Sequence, residues 1–113
     1  MKNESIDNRI KELIIQAAKG ASPGDLSEIG VKLSAYSSLL AEEFENLIVF
    51  QADAWLELRK GVTSDKMADK LWDATNEGKR SNVLRIQLKY IEKVISSINR
   101  RLRVKEGESY NRY

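Results

Sequence analysis

The stretch from Leu39 to Leu58 constrains this chain most. It carries no Gly, no Pro and no basic residue. Leu40, Phe44, Leu47, Ala54 and Leu58 recur at the spacing of one helical face. Ile48, Val49, Phe50, Trp55 and Leu56 extend the apolar character most of the way around. A helix that is apolar on nearly all sides has to be covered on nearly all sides. The stretch is therefore expected to be a central helix on which the rest of the chain packs.

The flanking sequence predicts further helices and their ends. Ile6, Ile10, Leu13, Ile14 and Ala17 share one face of a helix over about Ser5 to Lys19, which Lys19-Gly20 closes. Ser22 is a capping residue, Pro23 suits a first helical position, and Asp25 favours the positive end of the helix dipole. The central helix thus starts near Pro23 and extends toward Lys60, where Gly61 stops it; Gly30 inside it marks a kink or a close helix contact. Thr63 or Ser64 caps a third helix with Asp65 in its first turn, an inward face of Met67, Ala68, Leu71, Trp72 and Thr75, and an end at Gly78, unless that glycine is absorbed into one helix continuous with the next. A fourth helix is expected over about Lys79 to Glu106. Its seam, Leu84, Leu88, Ile91, Ile95, Ile98 and Leu102, alternates spacings of four and three, a heptad pattern. Val83, Ile86, Tyr90 and Val94 widen the apolar arc of its first half and predict broad burial there.

The expected fold is all-α: an elongated antiparallel helical hairpin or bundle of about four helices, with residues 1–106 as a single domain and 107–113 as a flexible tail. At 1.5 Å per residue the second helix spans roughly 50 Å and the fourth roughly 40 Å, more than two short helices can cover. Apolar surface left open on one copy usually marks an interface. A homo-oligomer is therefore expected, with Ile91, Ile95, Ile98 and Leu102 as its contact seam; the plainer alternative is that the first helix folds back and covers that seam.

Composition narrows the chemistry. With no Cys, disulfides and thiolate metal sites are impossible, and with no His the commonest general base and metal ligand are missing. No Gly-rich phosphate loop or nucleophile elbow occurs. Neither catalytic residues, nor a cofactor, nor a metal ligand set is expected, and the chain is not expected to be an enzyme. Absence of a signal-like or membrane-length apolar run makes a soluble protein of the cytoplasm the expectation, with no membrane partner.

The net charge of +2 conceals a strong asymmetry. Asp25 to Leu58 carries seven acidic residues and one basic, a balance of −6; Lys79 to Lys105 carries nine basic and one acidic, a balance of +8. Arg85, Lys89, Lys93, Arg100 and Arg103 fall on one side of the fourth helix, away from its seam. Lys79, Arg80 and Arg101 extend that charge. Such a row can track a phosphate backbone. Ordinary solvation of an outer face, or pairing with the acidic second helix, explains cations equally simply. The near-absence of acids on the stripe argues against simple solvation, where Glu–Lys pairs four apart are common. Phe44, Phe50 and Trp72 sit at core spacing. The carboxylate stripes Asp65, Asp69, Asp73, Glu77 and Glu42, Asp53, Glu57 suit a solvated face better than a metal site, which in helical bundles normally includes His.

One resemblance rests on the order of these parts. A Tyr-containing acidic helix ends in Leu-Arg-Lys-Gly (Leu58 to Gly61). A short Asp/Lys-rich helix follows, then a long helix ending in Ile-Asn-Arg-Arg-Leu-Arg-Val-Lys (Ile98 to Lys105). From Tyr36 to Glu106 this pattern resembles the small all-helical recombination mediators of tailed phages, of the T-even type; Ser5 to Lys19 has no counterpart in it. The resemblance implies an oligomer that binds single-stranded DNA through the cations of the fourth helix, helps load a recombinase, and works in the host-cell cytoplasm. The alternative expectation is a non-enzymatic adapter or inhibitor that meets a protein partner through its acidic and basic helix faces.

Overall fold

The computed structural model describes residues 2–111, and the side chains of residues 6–104. The described residues form an all-α helical bundle of four helices: α1 (Lys2–Ala18), α2 (Pro23–Lys60), α3 (Asp65–Ala74) and α4 (Asn76–Asn111).

Local chemistry sets most of the boundaries where the spacing predicts them. Gly20 closes α1 with a φ of 77°, a left-handed conformation that suits glycine. The Ser22 hydroxyl accepts from the Asp25 N–H at 3.2 Å and caps α2, whose first residue is Pro23. At the other end of α2, the Gly61 N–H donates to the Leu58 carbonyl. Ser64 caps α3 by accepting from the Met67 N–H. Gly30 leaves α2 unbroken.

The junction of α3 and α4 differs from expectation. Thr75, not Gly78, ends α3. Its hydroxyl donates to the Trp72 carbonyl at 2.6 Å and accepts from the Gly78 N–H at 3.0 Å, so one side chain closes one helix and caps the next. Gly78 lies buried in the first turn of α4, where a Cβ would overlap the Trp72 carbonyl. Its missing side chain permits close approach and does not break the helix. The far end of α4 differs too: helix continues to Asn111, through most of the segment expected to be a tail. Arg112 and Tyr113 lie outside the described residues.

Two compact units divide the chain. The first takes residues up to Ser38 and from Tyr90 onward, so it holds α1, the start of α2 and the last part of α4. Ile10, Leu13 and Ala17 of α1, Leu26, Ile29 and Leu33 of α2, and Ile91 and Ile98 of α4 form its buried core. Arg101 Nη1 donates to the Ala17 carbonyl at 2.7 Å, placing a cation on the exposed carbonyl end of α1. Arg9 Nη1 donates to the Tyr36 hydroxyl at 3.4 Å. That hydrogen bond raises the Arg9 guanidinium above its ordinary value, which leaves it charged at neutral pH as before.

The second unit, Leu39–Lys89, holds the rest of α2, all of α3 and the start of α4. Its buried apolar residues are Leu40, Ala68, Trp72 and Leu84, with Ser81 buried beside them. Trp72 meets Phe50 with ring centroids 6.1 Å apart. Trp55 Nε1 donates to Asp69 at 2.8 Å, and Arg59 Nε donates to Asp65 at 2.7 Å, which ties α3 to α2.

Full coverage of Leu39 to Leu58 is not what the structure has. Leu39, Ile48, Val49, Phe50 and Leu56 are exposed, Val49 at 73%. The reason is length. Ten residues of α3 span about 15 Å, whereas the α2 segment of this unit spans about 33 Å at the same rise. The inward face of α3 is narrower than its spacing predicts: Ala68 and Trp72 are buried, but Met67 and Leu71 are exposed. Broad burial of the first half of α4 is corrected likewise, with Val83, Ile86 and Tyr90 exposed.

Candidate nucleic-acid interface

The eight cations expected to bind nucleic acid separate into two groups. Arg85, Lys89, Lys93, Arg100 and Arg103 are all exposed on α4, and so is Lys79. None of the first five forms an ion pair among the described residues. Arg85 and Lys89 belong to the second unit, Lys93, Arg100 and Arg103 to the first. Their spacing on α4 turns them away from the row Leu84, Ile91, Ile98, whose members are each 0–1% exposed.

Arg80 and Arg101 leave the stripe. Arg80 donates through Nε and Nη2 to the two carboxylate oxygens of Glu43, at 3.0 and 2.9 Å. These side chains are only 20% and 31% exposed. A two-point Arg–carboxylate pair in that setting holds α4 against α2 within the second unit. Arg101, though exposed, spends its guanidinium on Ala17 and on the Ser97 hydroxyl. By charge alone, both of them are candidates for phosphate contact in the sequence. A cation's role depends on what faces it across the fold, and that is not written in its own helix.

The expected oligomer seam also divides. Ile91 and Ile98 lie in the core of the first unit at 1% exposure, so they are spent within the chain and closed to a second copy. Ile95 and Leu102 are half-buried. They line an open groove of about 310 Å³ whose opposite wall is Ser27, Gly30, Val31 and Ser34 of α2. The heptad row thus alternates: Leu84, Ile91 and Ile98 point inward, while Leu88, Ile95 and Leu102 stand at the edge.

Acidic stripes act structurally where they have partners. Asp65 and Asp69 accept from Arg59 and Trp55, and Glu57 pairs with Lys60 at 3.0 Å on the surface. Among the described residues no group of three or more carboxylates is placed to hold a metal ion. Nor is any described helix long and apolar enough to cross a membrane. Two aromatic residues run against their spacing. Tyr90 is exposed, three residues before Lys93, where the pattern suggests burial. Phe50, at core spacing, is 51% exposed although its ring meets Trp72 in a tilted contact.

No protein-family model, curated protein or solved structure matches this chain.

Proposed function

We propose that the chain is a non-enzymatic accessory protein of a phage-type recombination or replication system, and that it binds single-stranded DNA through α4. One observation carries this: Arg85, Lys89, Lys93, Arg100 and Arg103 are exposed and have no ion-pair partner among the described residues. A solvated helix face usually interleaves acids with its bases. A face on which Glu92 is the one acid among five bases favours a polyanion, since each phosphate it neutralises releases a counterion. Tyr90 supports the single-stranded form. An exposed ring beside a cation offers a stacking surface for any base. The likeness of Tyr36 to Glu106 to phage recombination mediators points the same way, and implies an oligomer working in the host-cell cytoplasm.

The test is a titration into labelled single-stranded DNA at several salt concentrations. Five phosphate contacts give a slope of log K against log salt of about −3.5. Arg85→Glu with Lys89→Glu removes two contacts and introduces repulsion. The slope is expected to shrink by about 1.4, with affinity falling more than about tenfold. Both positions are exposed, so the circular dichroism spectrum stays unchanged. Wild-type binding that the double variant leaves intact overturns the stripe as the binding surface. No binding even at low salt overturns the nucleic-acid function and favours the adapter, whose acidic and basic faces meet a protein.

A further inference from the structure

We infer that the outer face of α2 in the second unit is where a second copy of this chain docks, antiparallel, about a two-fold axis at Ala52. Glu45, Ile48, Val49, Ala52, Leu56 and Arg59 occupy about a third of the helix circumference, turned away from Leu40, Leu47 and Leu58. Ile48, Val49 and Leu56 are large, apolar and exposed, and Ala52 between them is exposed as well. The helices that could cover them are committed elsewhere. The apolar face of α1 is buried in the first unit, and α3 packs against Phe50 and Trp55 through Trp72 and Asp69.

The charges select the occupant and its direction. Glu42 and Glu45 stand exposed at one end of this segment, Arg59 and Lys60 at the other, whereas Glu43 is held by Arg80 and Lys60 pairs with Glu57. A parallel second copy sets Glu45 beside Glu45. An antiparallel copy centred on Ala52 sets Ile48 against Leu56, the small Ala52 against its own equivalent, and Glu45 against Arg59. Arg59 donates through Nε to Asp65 and through Nη1 to the Val62 carbonyl but keeps 37% of its side chain exposed, so a second carboxylate can reach its remaining donors. The same patch then complements itself, as a two-fold interface requires. Small residues at the crossing point let two helices approach closely. The patch is one helix face wide, toward the small end of specific interfaces, so association is expected at micromolar concentrations. This inference is independent of the nucleic-acid surface, whose cations are on α4.

Sedimentation of the full chain from about 1 to about 500 µM, spanning weak-dimer affinities, is expected to show a concentration-dependent dimer. Val49→Glu and Leu56→Glu are expected to raise its dissociation constant at least about tenfold while leaving helicity unchanged. The chain has no Cys, so Ala52→Cys reports the axis directly: mild oxidation yields a disulfide-linked dimer, whereas Val83→Cys, exposed on α4, dimerises without being cross-linked. A wild-type chain that remains monomeric throughout overturns the inference and leaves the face to a different protein. A dimer indifferent to Val49→Glu overturns the assignment of the face. So does a dimer that cross-links in the Val83→Cys variant but not in the Ala52→Cys variant.

Discussion

The two units invert each other's balance of burial. Among the described residues the first unit buries eight apolar side chains and exposes four large ones; the second buries four and exposes nine. Yet the part of α2 in the second unit is the more apolar part. What differs is the third helix. In the first unit α1 is 17 residues long and lays Ile10, Leu13 and Ala17 into the core, and Arg101 bonds its Ala17 carbonyl. In the second, α3 offers ten residues, of which only Ala68 and Trp72 are buried. Hydrophobic sequence creates demand for cover, but the length of the covering element decides whether the demand is met. The first unit has closed its own core, and the second has kept an apolar face open.

The sharpest way to break this comparison is to delete one inward-facing leucine side chain from each unit. Leu33 is fully buried in the first, so Leu33→Ala is expected to cost about 2–5 kcal/mol through lost burial and the cavity left behind. Leu47 is half-buried in the second. Leu47→Ala is expected to cost roughly half as much, since area already exposed to water contributes nothing on removal. Urea denaturation of the two variants measures the ratio. Hydrogen exchange of the wild-type chain adds location, with slower exchange expected in helices of the first unit. Equal costs and equal protection would mean that the second unit has a core as closed as the first.

The helices themselves are legible in the sequence because their ends are local. Ser22, Pro23, Gly20 and Gly61 act within one turn of where they stand, and a cap needs no knowledge of the rest of the fold. Burial is legible wherever a single heptad row faces a neighbour, as at Leu84, Ile91 and Ile98. Which surface meets which is not. The Leu39 to Leu58 pattern is the same whether its cover comes from this chain or from another. The charge of Arg80 is the same whether Glu43 or solvent faces it. Six of the eight cations expected to bind phosphate are exposed and, among the described residues, have neither an ion pair nor a side-chain hydrogen bond. Arg80 and Arg101 are drawn off by contacts 37 and 84 residues away in sequence, beyond the reach of any local pattern.

Gly78 sharpens the comparison at the weaker unit. Its position suggests a helix stop, but the residue is a clearance: a Cβ there meets the Trp72 carbonyl, a backbone atom that cannot rotate aside. Gly78→Ala therefore forces α3 and α4 apart at the junction next to Trp72. The expected cost is about 1–3 kcal/mol, the usual range for overpacking, despite the better helix propensity of Ala. Thermal unfolding measures it, and Trp fluorescence reports whether Trp72 and its contact with Phe50 are disturbed. A neutral or stabilising result would show that the Thr75 junction can open without loss, making the second unit looser still.

Gly30 is the counterpart in the closed unit, and its effect should be smaller and opposite in sign. A Cβ built there stands 3.7 Å from Ile98 Cγ2, an ordinary contact with a side chain and not a clash. The backbone at Gly30 is already helical and unbroken. Gly30→Ala removes the excess freedom of glycine in the unfolded chain and adds a methyl against a core residue. Stabilisation of about 0.5–1 kcal/mol is expected. Gly30 also walls the groove beside Ile95 and Leu102, so the same variant asks what the groove is for. If Gly30→Ala stabilises the chain and leaves its association unchanged, the glycine's openness serves neither folding nor that dimer. If it instead weakens association, close helix approach at this groove contributes to the interface, and the first unit is less self-contained than its buried core implies.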